Sequence, residues 1–158
     1  MTFAKTTAFF APVLVALTLT TAPAVAQDAF AGPVKARQGQ FQIMAINLGL
    51  LGNMAKGEAP YDAEIAQNAA DSLVGLSMIY PGHLFVEGSD MDALEGNRAK
   101  PTIWTDNADF LAKWEAFGEG ALVMQAAAGN GVEALGPALG AIGGTCGDCH
   151  KAHRGPES

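Results

Sequence analysis

Cys146-Gly147-Asp148-Cys149-His150 is the stretch from which the rest of the sequence is best read. Two thiols separated by two residues, with an imidazole at the next position, are the signature of covalent c-type haem attachment. Each thiol adds across a haem vinyl group. The two intervening residues let both sulfurs reach one edge of the ring, and the adjacent His turns its imidazole toward the iron. Three other readings compete. A thioredoxin-like redox pair sits early in a βαβ pattern, whereas this pair sits late in a chain without strand periodicity. A structural zinc site needs four ligands, and only His83 and His153 remain as extras. A plain disulfide has no need of His at the following position. The pentapeptide therefore predicts one haem c per chain, with thioethers at Cys146 and Cys149 and His150 as the axial iron ligand.

Upstream, Leu135, Leu139, Ile142, Cys146 and Cys149 share one side of a helix. Pro137 lies within it, and Gly136, Gly140, Gly143 and Gly144 weaken it further. Interior Pro costs ~3 kcal/mol and Gly ~1 kcal/mol relative to Ala, so a start near Pro137 or a kink there is expected. The glycines would also let a haem plane or another helix approach the backbone. Gly129-Asn130-Gly131 marks a sharp turn. Before it, Phe110, Trp114, Phe117, Ala121, Met124 and Ala128 recur in steps of three and four, with Thr105 or Asp106 as the cap. Residues 81–104 hold Gly82, Gly88, Gly96 and Pro101 with little periodicity. A loop this long is usually functional or packed by its own side chains.

Earlier still, Asp62 caps a helix whose inner stripe is Ala66, Ala69, Leu73, Leu76 and Tyr80, ended by Pro81-Gly82. The first helix starts at Pro33, carries Val34, Phe41, Met44, Leu48, Leu51 and Ala55 on one face, and stops at Gly57. No run alternates with period two, so no sheet is expected. Four amphipathic helices joined by short, long and short links predict an all-α chain folded as an antiparallel four-helix bundle, with a covalently attached haem near the C-terminus. The near-heptad spacing fits left-handed supercoiling.

The chain has 158 residues, 49% apolar and 16% charged, with a formal net charge of −7. That composition excludes a disordered chain. The acidity argues against a nucleic-acid partner, whose phosphates call for clustered Lys and Arg. Residues 1–26 hold one lysine, Lys5, and no acid. They carry an apolar run from about Ala8 to Leu19 and end in Ala24-Val25-Ala26. This reads as a secretory signal peptide cleaved after Ala26. The apolar run is too short for a membrane span, which needs ~20 residues. A domain over residues 27–158 is left, of 132 residues, with a net charge of −8 once Lys5 is gone. It is expected to be soluble, free of the membrane after cleavage, and periplasmic in a bacterium.

These residues resemble one family, the bacterial cytochromes c′, class II c-type cytochromes with the haem near the C-terminus. The likeness runs through Val34-Lys35-Ala36-Arg37-Gln38, Lys56-Gly57-Glu58-Ala59-Pro60-Tyr61-Asp62 and Pro101-Thr102-Ile103-Trp104. It ends in Cys146-Gly147-Asp148-Cys149-His150-Lys151-Ala152-His153-Arg154. The resemblance implies that His150 is the sole protein ligand of the iron and that Arg154 lies on its proximal side. It also implies that Arg37, Gln38 and Arg98 lie near the haem edge and its propionates. Guanidinium and carboxylate pair well, which suits that role. The position over the open face of the iron is matched by Phe41, which has no lone pair for a metal.

The resemblance thus implies five-coordinate, high-spin iron under an apolar lid. Related low-spin cytochromes place a Met at that position. Met44, one turn on, fits core packing better than ligation. His83 reads as a loop residue, His153 as packing beside the haem, and Trp104 and Trp114 as core or interface. The expected function is capture of nitric oxide, carbon monoxide or another small neutral gas, or single-electron transfer with a redox protein. The alternative is a low-spin electron-transfer cytochrome with a Met sixth ligand. No catalytic residue is expected, because peroxidase chemistry wants a distal acid–base group where this chain has Phe41. Family members pair as homodimers through their first two helices, where Ile43, Ile46, Leu50 and Ile65 lie off the inner stripes.

Overall fold

The computed structural model describes residues 22–156, with side chains from residue 29 onward, and among them every regular element is helical. The elements are α1 (Ala22–Ala55), α2 (Ala63–Ser77), a 3-10 turn (Pro81–His83), α3 (Thr102–Thr105), α4 (Asn107–Ala128) and α5 (Val132–His153). α1 packs on α2 and α5, and α4 packs on α2 and α5, so the four long helices close a ring around one core. This is the four-helix bundle expected from the periodicity.

Each long helix contributes a wholly buried anchor to that core. These are Leu51 of α1, Leu73 of α2, Met124 of α4, and Leu135 and Ile142 of α5. Burying such a side chain contributes about 1.5–3 kcal/mol. Ala66, Ala70, Ala121 and Ala128 have no exposed surface, and their small size lets helices close up around the larger anchors. Gly120 lets α4 come close to α5, since a Cβ there would lie 3.2 Å from Cα of Ile142. A second small core of Phe85, Ala99, Ile103 and Phe110, flanked by Leu84 and Trp104, lies under the long connection between α2 and α4. That connection is therefore packed by its own side chains.

Local chemistry sets several boundaries. Asp62 Oδ1 accepts the backbone N–H groups of Glu64 and Ile65, both at 2.9 Å, and starts α2 as expected. Gly57 and Gly131 supply positive φ, 73° and 107°, where the chain leaves α1 and enters α5. Asp106 occupies the cap position of α4 without a side-chain bond to the helix.

Three expectations are corrected. α1 starts at Ala22, with Pro33 inside it rather than at its head. The alanine-rich sequence upstream has the highest helix propensity and carries the helix past the one bond that proline removes. The expected cleavage point after Ala26 falls within this helix, and residues 1–21 of the expected leader lie outside the described residues. α2 ends at Ser77, so Tyr80 is not on its stripe but is 60% exposed. Pro81 drives the residue before it out of the helical region, and Tyr80 is extended at φ −63°, ψ 116°. α5 starts at Val132, five residues ahead of Pro137. Pro137 sits in the second turn, where its missing N–H costs a single bond, and buried Leu135 and Ala138 flank it.

A candidate haem-attachment site at the end of α5

Cys146, Cys149 and His150 ride the last turns of α5 at helical spacings of three and four, which puts them on one face. Both cysteines are partly buried and free. Burial pushes both thiols above their ordinary pKa, and at Cys149 the neighbouring Cys146 adds to the shift. Burial lowers the pKa of His150, and the positive charges of Arg154 and Arg98 lower it further. Both effects favour the neutral imidazole, the form that ligates a metal. Nη1 of Arg154 lies 3.4 Å from Nδ1 of His150. Two thiols and one neutral imidazole at this spacing are a donor set that suits a c-type haem. The competing metal reading fares worse. Among the described residues no group of three or more His, Cys, Asp and Glu could hold an ion. His83 instead lies against Tyr80, ring centroids 5.0 Å apart.

The turn carrying His150 is capped from a distance. Lys100 Nζ donates to Lys151 O, Thr102 Oγ1 to Ala152 O, and the Lys100 backbone N–H to His153 O, each at 3.0 Å. Three terminal carbonyls of α5, which a helix end leaves unpaired, thereby gain partners. The chain beyond the helix pairs antiparallel with residues 98–99. Gly155 N–H donates to Arg98 O at 2.7 Å, and Arg98 Nε returns a bond to Gly155 O at 2.8 Å.

His153 is 4% exposed and is bound at both ring nitrogens, Nδ1 to Thr102 Oγ1 at 3.0 Å and Nε2 to Asp109 Oδ2 at 2.9 Å. Its ring also meets Phe110 edge-on at 5.6 Å. Asp109 is in turn bound by Lys113 at 2.9 Å, and that bond holds its carboxyl below the usual carboxylate range. His153 is thus more than a packing residue. The sequence shows no sign of these partners, because they lie 44 and 51 positions away.

Arg37 is 3% exposed and is the main surprise among the expected site residues. Nη1 donates to Leu84 O at 3.1 Å and Ser89 Oγ at 2.7 Å. Nη2 donates to Ser89 O at 2.5 Å and Asn97 Oδ1 at 3.1 Å. Its guanidinium stands 4.9 Å from the Phe85 ring centroid. Burial lowers its pKa, against a weaker opposing pull from Asp90. These donors are spent on the long connection, so Arg37 braces that loop instead of reaching outward. Ser89 and Asn97 are the partners that sequence reasoning missed. Gln38 donates to Gly96 O at 2.9 Å on the surface of the same loop.

Phe41 is 41% exposed and meets Phe85 and Trp114 edge-on, with centroids 6.3 and 6.4 Å away. Met44 is buried in the main core. Trp114 and Trp104 donate their indole N–H groups to Ser77 O and Phe85 O, both at 3.0 Å, and serve as packing residues. Among the described residues no helix is long and apolar enough to cross a membrane.

A family profile described as Cytochrome C′ matches residues 32–154. The chain is 42% identical over 143 residues to a cytochrome c′ of Cereibacter sphaeroides, covering 90% of this chain and 96% of that one. A solved structure of cytochrome c′ from Rhodobacter Spheriodes superposes with a TM-score of 0.78 at 41% identity, over 81% of this chain and 98% of the other. A nitric oxide complex of a mutant cytochrome c prime from Alcaligenes xylosoxidans superposes with a TM-score of 0.70 at 34% identity, over 81% and 97%.

Proposed function

The chain belongs to the cytochrome c′ family of haem proteins, and from that premise we propose that it is an exported haem protein with five-coordinate, high-spin iron. It carries electrons or binds gases and is not a classical enzyme. In this reading it takes nitric oxide or carbon monoxide on the open face of the iron and passes single electrons. One haem c per chain is held by thioethers at Cys146 and Cys149, and when bound it supplies the redox couple and the gas-binding iron. His150 is the axial ligand. Arg154, whose guanidinium lies 3.4 Å from Nδ1 of His150, would stand beside that ligand. Gln38 and Arg98 serve the haem edge, while Arg37 serves it from within by holding the loop.

One observation carries the five-coordinate state. Phe41, the residue assigned by resemblance to the distal position, stands edge-on to Phe85 and Trp114 and offers apolar surface and no lone pair, which supports that reading. Met44, one turn past Phe41, is 6% exposed and packs with Leu51 and Met54 in the core. The nitric oxide complex of the related protein supports gas binding as the role to test first. The remaining parts of the proposal rest on the sequence. Residues 1–26 act as a signal peptide, and residues 27–158 form the exported domain in the periplasm. Ile43, Ile46, Leu50 and Ile65 are between 41 and 64% exposed and offer a face on α1 and α2 for a homodimer. The acidic surface selects a redox partner with a basic face.

Absorption and EPR spectra of the ferric holoprotein test the proposal. High-spin spectra, and a shift on adding nitric oxide to the reduced protein, are the expected results. A purely low-spin ferric spectrum would overturn five-coordination in favour of Met ligation. An unresponsive reduced protein would overturn gas binding.

A further inference from the structure

We propose that His153 is a positioning residue for the axial ligand, fixing the last turn of α5 so that the Arg154 guanidinium stays against Nδ1 of His150. The inference rests on the proposed ligand role of His150.

The geometry runs from the core outward. His153 is buried, and its ring ties the end of α5 to Thr102 of α3 and Asp109 of α4. Its carbonyl and those of Lys151 and Ala152 are taken by Lys100 and Thr102. The helix end is therefore held on both its side-chain and its backbone groups. Arg154 follows directly, its N–H bonded to His150 O at 3.0 Å and its residue bridged to Ala99. A shift in the His153 ring would be passed to Arg154 through one peptide unit.

The placement of Arg154 matters for a chemical reason. Metal-bound imidazoles gain basicity when their second N–H donates to a carboxylate, carbonyl or water. A guanidinium has only donors and cannot accept that proton. Beside Nδ1, the Arg154 guanidinium takes up part of the space from which a water or carbonyl would accept that proton and adds a positive charge, both of which favour the ferrous state. An aromatic hydrocarbon ring at position 153 would fill the same volume and make neither hydrogen bond. The imidazole thus adds an anchor that burial alone does not provide.

The test compares His153→Phe, His153→Gln and Asp109→Asn holoproteins with the parent. The readouts are the iron–histidine stretching band of the ferrous protein by resonance Raman, the reduction potential, and the melting temperature. His153→Phe is expected to move the stretch to higher frequency and the potential lower. Asp109→Asn should do the same to a smaller extent. His153→Gln, whose amide retains a donor for Asp109, should recover part of the shift. In an Arg154→Ala background His153→Phe should add no further displacement. Unmoved stretch and potential alongside a lowered melting temperature would reduce His153 to a packing role and overturn the proposal. An equal displacement in the Arg154→Ala background, or one of opposite sign, would also overturn it. If the parent shows no five-coordinate band, the proposed function fails and the potentials alone decide the role of His153.

Discussion

Replacing Gly120 by alanine separates two effects that a glycine in a helix usually confounds. A Cβ restricts the unfolded chain and favours the helix by about 0.5–1 kcal/mol. At Gly120 that Cβ would lie 3.2 Å from Cα of Ile142 and 3.4 Å from its Cβ and Cγ1. The nearest atom is backbone of α5, so relief requires moving a helix, not a rotamer. Overpacking of this kind costs about 1–3 kcal/mol. The net expectation for Gly120→Ala is a loss of up to about 2 kcal/mol.

Gly75 of α2 is the control, because nothing lies within 4 Å of its added Cβ and the propensity gain should survive whole. Gly118 is intermediate, since its Cβ would meet the Ser77 side chain, Oγ at 3.4 Å and Cβ at 3.6 Å. Guanidinium unfolding of the holoproteins, followed by far-ultraviolet circular dichroism, reads the order Gly75→Ala, Gly118→Ala, Gly120→Ala from most to least stable. The difference between the first and last cancels propensity and measures the α4–α5 approach alone, at about 1–3 kcal/mol. Ile142 is one turn before Cys146, so this contact also sets where the thiols stand. A Gly120→Ala protein as stable as Gly75→Ala would show that the two helices have room to spare, and the close approach would lose its structural meaning.

Phe41→Ala is expected to speed carbon monoxide and nitric oxide association in stopped-flow measurements, because it removes the apolar lid without adding a ligand; an unchanged rate places the barrier elsewhere. Asp62→Ala deletes the acceptor of two backbone N–H groups at 2.9 Å and should cost about 1 kcal/mol of unfolding free energy, while an unaltered midpoint would mean the helix start is held by packing. In the haem-free protein the raised pKa of Cys146 and Cys149 keeps both as thiols further into alkaline pH than in the unfolded chain. Their contribution to stability is therefore present below the unfolded thiol pKa and lost as pH rises through the folded one. Iodoacetamide labelling of the native form should accordingly have the higher midpoint, and a native midpoint at or below the unfolded one would refute the burial argument.

What could be read from the sequence follows from how far each cause reaches along the chain. The Asp62 cap acts on residues two and three positions away, so its chemistry is visible in the string itself. The helical spacing of Cys146, Cys149 and His150 is legible for the same reason, as are the stripe of α4 and that of α2 as far as Leu76. A helix start at Pro33 or near Pro137 is what a local breaker weighed alone predicts, and neither proline is the start. In the folded chain each proline deletes one hydrogen bond, and the alanines around the first and the buried anchors around the second outweigh it. Tyr80 failed in the opposite direction. Its periodic position suggested a stripe, yet the neighbouring Pro81 had already excluded it from the helix.

Arg37 and His153 mark where local reasoning ends. The resemblance assigns both to the surroundings of the haem, and the structure adds that both are buried hubs whose partners lie roughly fifty positions distant. Nothing in the flanking residues distinguishes a solvated arginine from one donating to Leu84, Ser89 and Asn97. The two hubs have a common logic. Arg37 ties α1 to the long connection, and the connection reaches the end of α5 through Lys100 and Thr102 and the residue Gly155 just beyond it through Arg98. The loop that separates the helices in sequence is thus the element that joins α1 to the turn of α5 carrying His150. A perturbation of Arg37, which touches neither thiol nor imidazole, should therefore be felt at His150 through that loop and the capped end of α5. By contrast, an equally buried residue such as Leu73 lies in the other core and should change stability alone.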